Sequence, residues 1–137
     1  MDGTSLTRAL RELPLNPEEY IVAGSGLLAA LSLREANDID LVVSEEAFER
    51  LGRLSEWTRR LCSDGSDYLV NGAVEVWTSW DDQDDLPNLL ALKSDQLVLD
   101  GVPYVSPVRL LHWKRRTARP KDVPDMALLE HHLLRQS

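Results

Sequence analysis

Cysteine is nearly absent from this chain. Cys62 stands alone, which excludes an internal disulfide and any zinc site built from several cysteines, and fits reducing surroundings. Long apolar runs are missing too. None approaches the ~18 residues of a membrane span, and Met1-Asp-Gly-Thr-Ser-Leu-Thr-Arg8 lacks the basic-then-apolar order of a leader. A cytoplasmic protein with no membrane segment is the expectation. Positive charge is scarce: 15 Lys and Arg against 23 Asp and Glu leave a formal charge of −8. That balance repels a phosphate backbone unless cations are gathered locally, so long nucleic acid is an unfavourable partner. A small anionic ligand carrying its own divalent metal stays compatible with it.

Internal repeats and low-complexity linkers are also lacking, and 137 residues fit one domain able to bury roughly two thirds of its unfolded surface. Hydrophobic and charged shares of 43% and 28% are ordinary for a folded soluble chain, which argues against disorder.

The patterning predicts a short helix over Leu6–Leu13, closed by Pro14. A buried strand follows at Tyr20–Ala23, turned by Gly24-Ser25-Gly26 into a helix over Leu27–Arg34. A second strand is expected over Asp38–Val43. Ser44 is placed as an N-cap with Glu45 and Glu46 in the first turn, opening a helix to Leu61 with Phe48, Leu51, Leu54, Trp57 and Leu61 as its core stripe. Tyr68–Trp77 reads as a hairpin broken at Asn71-Gly72, and Leu97–Val105 as another broken at Asp100-Gly101. Between them Asp81–Asp85 reads as an acidic loop. Ser106-Pro107 opens a helix through Lys114, and a last helix runs from near Asp122 to about Leu134, with Met126, Leu129 and Leu133 on one side. The expected class is α/β or α+β: a mixed β-sheet flanked by helices, core about 20–105 and C-terminal helices about 106–135.

Asp38-Ile-Asp40 interrupts an aliphatic strand with carboxylates whose period-two spacing puts both on one face. The same spacing in Asp82-Gln-Asp84 lies in an acidic run and reads as a solvated loop. For Asp38 and Asp40 two readings compete, an edge strand with one wet face or a pair that holds a divalent cation such as magnesium. Glu75, an acid between Val74 and Val76, could be presented beside them by a neighbouring strand, and three converging carboxylates suit two metal ions at a phosphoryl centre. Gly24-Ser25 offers backbone N–H groups where phosphate binds well, or is only a tight turn. It is neither a Walker loop nor a dinucleotide fingerprint. Lys114, Arg115, Arg116, Arg119 and Lys121 gather five of the 15 basic residues within eight positions. Some of these cap a helix C-terminus; one lysine there is well placed to meet a triphosphate. Asp122 and Asp125 read most simply as N-cap and first-turn acids, and His131-His132 as an exposed helix end.

Together these residues resemble the nucleotidyltransferase superfamily of the DNA polymerase beta fold in a minimal form. Gly24-Ser25, twelve intervening residues, Asp38-Ile-Asp40 and Glu75 follow its signature order. The end of the chain is similar to the branch of abortive-infection antitoxins and lincosamide-type nucleotidyltransferases, with Arg34 four residues ahead of Asp38, then Lys114 and Arg119-Pro-Lys-Asp-Val-Pro-Asp125. The resemblance implies magnesium-dependent transfer of a nucleoside monophosphate from a nucleoside triphosphate, ATP first among donors, to a hydroxyl on a small molecule, a protein or an RNA end. It assigns two magnesium ions to Asp38, Asp40 and Glu75, with Glu75 also as base, and nucleotide contacts to Gly24, Ser25, Arg34 and Lys114. It also admits an antitoxin-like regulator of a partner toxin, or an inactive nucleotide-binding member. The short C-terminal helical pair implies a second copy or a partner protein completing the site.

Overall fold

The computed structural model describes residues 1–80 and 87–136. The expected acidic loop, with Asp82-Gln-Asp84, lies outside the described residues. Among those described, the chain is α+β: a seven-stranded mixed sheet in the order β3-β4-β5-β2-β1-β7-β6, flanked by helices. The strands are β1 Tyr20–Ala23, β2 Ile39–Val43, β3 Thr58–Leu61, β4 Asp67–Asn71, β5 Val74–Trp77, β6 Leu97–Leu99 and β7 Val102–Tyr104. The helices are α1 Gly3–Arg11, α2 Gly26–Ala30, α3 Glu45–Gly52, α4 Leu89–Lys93, α5 Pro107–Thr117 and α6 Val123–Gln136. No described helix is long and apolar enough to cross a membrane.

The sheet centre follows from its composition. β1 and β2 pair antiparallel with Ala23 opposite Asp40, and β2 pairs parallel with β5. Ile21, Val22, Ile39, Leu41 and Val42 are fully buried there. Each such side chain contributes roughly 1.5–3 kcal/mol over leaving it in water, so this continuous aliphatic run sets which strands lie in the middle. β7 adds on the far side of β1, where Val105 N–H donates to the Val22 carbonyl at 2.9 Å. Both hairpins form where Asn71-Gly72 and Asp100-Gly101 predict them, with Gly72, Asp100 and Gly101 all at positive φ.

Local signals at helix starts hold. Ser44 Oγ accepts from Ala47 N–H, and Ser106 Oγ from Arg109 N–H with Pro107 in the first turn. Asp2 caps α1 in the same way. Met126 and Leu133 pack against the core beside fully buried Leu129, the expected side of α6.

Two expectations are corrected. The helix from Ser44 stops at Gly52, not Leu61, and Thr58–Leu61 forms an edge strand antiparallel to β4. Phe48 and Leu51 are buried as the helical stripe requires and Trp57 is buried just ahead of β3, but Leu61 is 76% exposed. The free edge of β4 takes those backbone groups, an ion pair between Arg59 and Asp67 supports the pairing, and tertiary pairing overrides the helical period. Likewise α2 ends at Ala30 instead of Arg34, because Ser32 adopts φ +60 and the chain turns there. α4 went unpredicted.

Candidate functional site

Asp40 is the second residue of β2, the fourth of seven strands, so its carboxylate stands in the middle of the sheet. The edge-strand reading of Asp38-Ile-Asp40 therefore falls. Glu75 is in direct register with Asp40 on β5. Neighbouring strands are about 4.8 Å apart, and partners in register present their side chains to the same face. Asp38 lies one residue ahead of β2 and is exposed, and its charge still reaches Asp40. Burial first, then the charges of Glu75 and Asp38, push the Asp40 carboxyl up to about 7, with Lys121 and Lys114 opposing part of the rise. The three sequence-assigned acids thus interact at one place.

The turn after β1 closes over them. Gly24 has φ +65, and a Cβ on it would lie 2.8 Å from Asp40 Oδ2. Only glycine satisfies both the left-handed backbone and this approach. Ser25 follows, and the same turn walls a cavity of about 1060 Å³ with Asp38, Asp40, Arg34, Lys114, Trp80 and Trp113 among its lining.

A buried ion network anchors the opposite wall. Lys114 is 1% exposed, and its Nζ donates to Asp122 Oδ1 at 3.2 Å and to Ser25 Oγ at 3.3 Å and meets Asp125 Oδ2 at 3.1 Å. Its three N–H donors therefore all have protein partners. Arg34 grips Asp125 with two bonds, Nε at 2.6 Å and Nη2 at 2.8 Å, and Arg119 Nε reaches Asp122 Oδ2 at 2.7 Å. Burial alone would raise the Asp122 carboxyl, but hydrogen bonds from Arg119 and Lys114 win and hold it at about 2. Asp125 is opposed by burial in the same way and lowered by Arg34 and Lys114.

Asp122 and Asp125 are first-turn acids as expected, and they are also buried partners that fasten α5 and α6 to the glycine turn. The signal was their spacing after Lys114: a lysine on one helix and two acids opening the next can meet across the joint. Of the five clustered cations, Lys114 is in this network and Arg119 and Lys121 line the cavity, whereas Arg115 pairs with Glu130 on α6. Of the His131-His132 pair expected to be exposed, His131 is exposed and His132 is half-buried.

The donor set at Asp38, Asp40 and Glu75 is all oxygen, as magnesium prefers. Among the described residues no group of three or more His, Cys, Asp or Glu stands ready-made to hold a metal ion. Magnesium retains waters and leans on substrate phosphates, so one or two carboxylates beside a phosphate-sized space suffice. The mutual repulsion that raises Asp40 is the electrostatic condition a divalent cation would relieve. No protein-family model, curated protein or solved structure matches this chain.

Proposed function

We propose that this chain is a magnesium-dependent nucleotidyltransferase of the polymerase beta type, moving a nucleoside monophosphate from a nucleoside triphosphate such as ATP to a hydroxyl acceptor. The observation that carries the reading is the register pairing of Asp40 with Glu75 on central strands, directly against the Gly24 turn.

In this scheme the turn at Gly24-Ser25 offers backbone N–H groups to the phosphates. Lys114 can give a phosphate oxygen the donor it now gives Ser25, while Asp122 and Asp125 hold the ammonium in place. Arg34 contributes through its grip on Asp125 and its position on the cavity wall. Asp38, Asp40 and Glu75 would hold magnesium, which would neutralise charge developing on the phosphoryl oxygens. The acceptor oxygen bonds to the α-phosphorus, its proton passes to the Glu75 carboxylate, and the bond to the bridging oxygen breaks, its electron pair leaving with pyrophosphate.

The test is incubation with each labelled triphosphate, magnesium and panels of hydroxyl acceptors, scoring pyrophosphate release against Asp40→Ala. Release that vanishes in the variant supports the reading; no release and no nucleotide binding with any triphosphate overturns it.

A further inference from the structure

The sequence holds four tryptophans, and three of them, Trp77, Trp80 and Trp113, line the cavity that Asp38 and Asp40 also line. Trp80 and Trp113 stand together, ring centroids 5.1 Å apart and planes inclined at 54°. Trp80 also abuts the glycine turn: a Cβ on Gly24 would lie 3.5 Å from its Cη2. Trp113 directly precedes Lys114, and the Lys114 ammonium and Arg119 guanidinium lie 5.7 and 5.2 Å from its ring centre. Both indoles are only partly buried. Both rings pack against the core and also line the cavity, a placement open to a stacking ligand.

We infer that Trp80 and Trp113 are the stacking platform for the nucleobase of the triphosphate, an inference that rests on the nucleotidyltransferase reading of the same cavity. Strand order supports the nucleotide over the acceptor as occupant. Glu75 is on β5, Asp40 on β2 and the glycine turn at the end of β1, so Glu75 and the turn are two strand spacings, about 10 Å, apart. An acceptor served by Glu75 lies toward β5, whereas the tryptophan pair stands beside the turn and Lys114, where the triphosphate would lie. The cavity, about 1060 Å³, is at the upper end for a small-molecule site and has room for base, ribose and phosphates together. Stacking uses the π-face that every base has and does not read its hydrogen-bonding edge. The platform therefore gives affinity with little choice of base: the four triphosphates should bind within about tenfold of one another, purines first.

Calorimetric titration with magnesium and two probes, ATP and inorganic tripolyphosphate, tests this. The wild type is expected to bind ATP more tightly than tripolyphosphate. Trp80→Ala should weaken ATP by between about 5- and 150-fold, the range of one base–aromatic stack, and leave tripolyphosphate unchanged. Trp80→Phe, which keeps a ring and the packing, should retain most of the ATP affinity. If ATP and tripolyphosphate bind the wild type equally, or Trp80→Ala and Trp113→Ala leave ATP within twofold, the platform is overturned while the phosphate site stands. If neither probe binds the wild type, the transferase reading falls and the platform with it.

Discussion

Asp40 and Glu75 are register partners on two parallel strands at the centre of the sheet. Two carboxylates about 5 Å apart in surroundings of effective dielectric near 20 repel by roughly 3 kcal/mol, a sizeable part of the stability of a domain this small. Aliphatic side chains at both positions would extend the core instead. The chain carries acids there, with a third in Asp38 close by, and a glycine turn sits against Asp40 where a Cβ would meet its carboxylate.

The pH dependence of stability follows from this pair. Folded Asp40 keeps its proton up to about pH 7, while the unfolded chain releases it at its ordinary 3.8. The unfolded state binds fewer protons between those values, so stability falls as pH rises from about 4 to about 7 and levels off above, by roughly 4 kcal/mol at most. Asp40→Asn removes this cost. In the presence of chelator, the variant's advantage in urea unfolding should widen from pH 4 to pH 8, and magnesium at pH 8 should raise the wild type alone. Parallel curves for the two proteins would refute the coupling.

Gly24→Ala forces a left-handed backbone on a residue with a Cβ and drives that carbon toward Asp40 Oδ2. The backbone term alone is about 1–2 kcal/mol. Chemical denaturation should register at least that loss, and magnesium-dependent nucleotide binding should fall further than the stability change accounts for. A variant as stable as the wild type, with intact binding, would mean the turn is not constrained as described.

Lys114→Met leaves Asp122 and Asp125 buried with one cation fewer. Breaking a buried pair in this way costs about 3–5 kcal/mol. Adding Asp122→Asn to it should recover part of the loss, which a double-mutant cycle measures. Asp122 itself, held at about 2 against 3.8, contributes fully above about pH 4 and loses its contribution as pH falls toward 2, on the order of 2 kcal/mol. Acid unfolding of Asp122→Asn should be correspondingly flatter across that window.

Much of the sheet centre was readable in the sequence because its signals are local. Branched runs at Tyr20–Ala23 and Ile39–Val43, the glycine dipeptides of both hairpins, and the Ser44 and Ser106 caps depend on neighbours within a few residues. The acids could be suspected from their intrusion into aliphatic strands, yet their convergence depends on β2 pairing with β5, which no spacing states. β3 was hidden for a related reason: Phe48, Leu51, Leu54 and Trp57 keep a helical period past Gly52, and only the open edge of β4 decides the contest. Asp122 and Asp125 were readable as helix-start acids, but their burial against Lys114 was not, because a helix start explains them equally well. Trp80 and Trp113, 33 positions apart in the sequence, carry no mutual signal at all until the fold sets them 5.1 Å apart.

The measurement that bears most directly on the central claim is calorimetric binding of manganese, as a magnesium surrogate, at pH 6, where Asp40 still holds its proton, in the presence of ATP. Wild-type protein should bind the ion with proton release as Asp40 ionises, and Asp40→Asn and Glu75→Gln should each weaken it by tenfold or more with the fold intact by circular dichroism. Equal ion affinity in all three proteins, or no binding to any, would contradict the account.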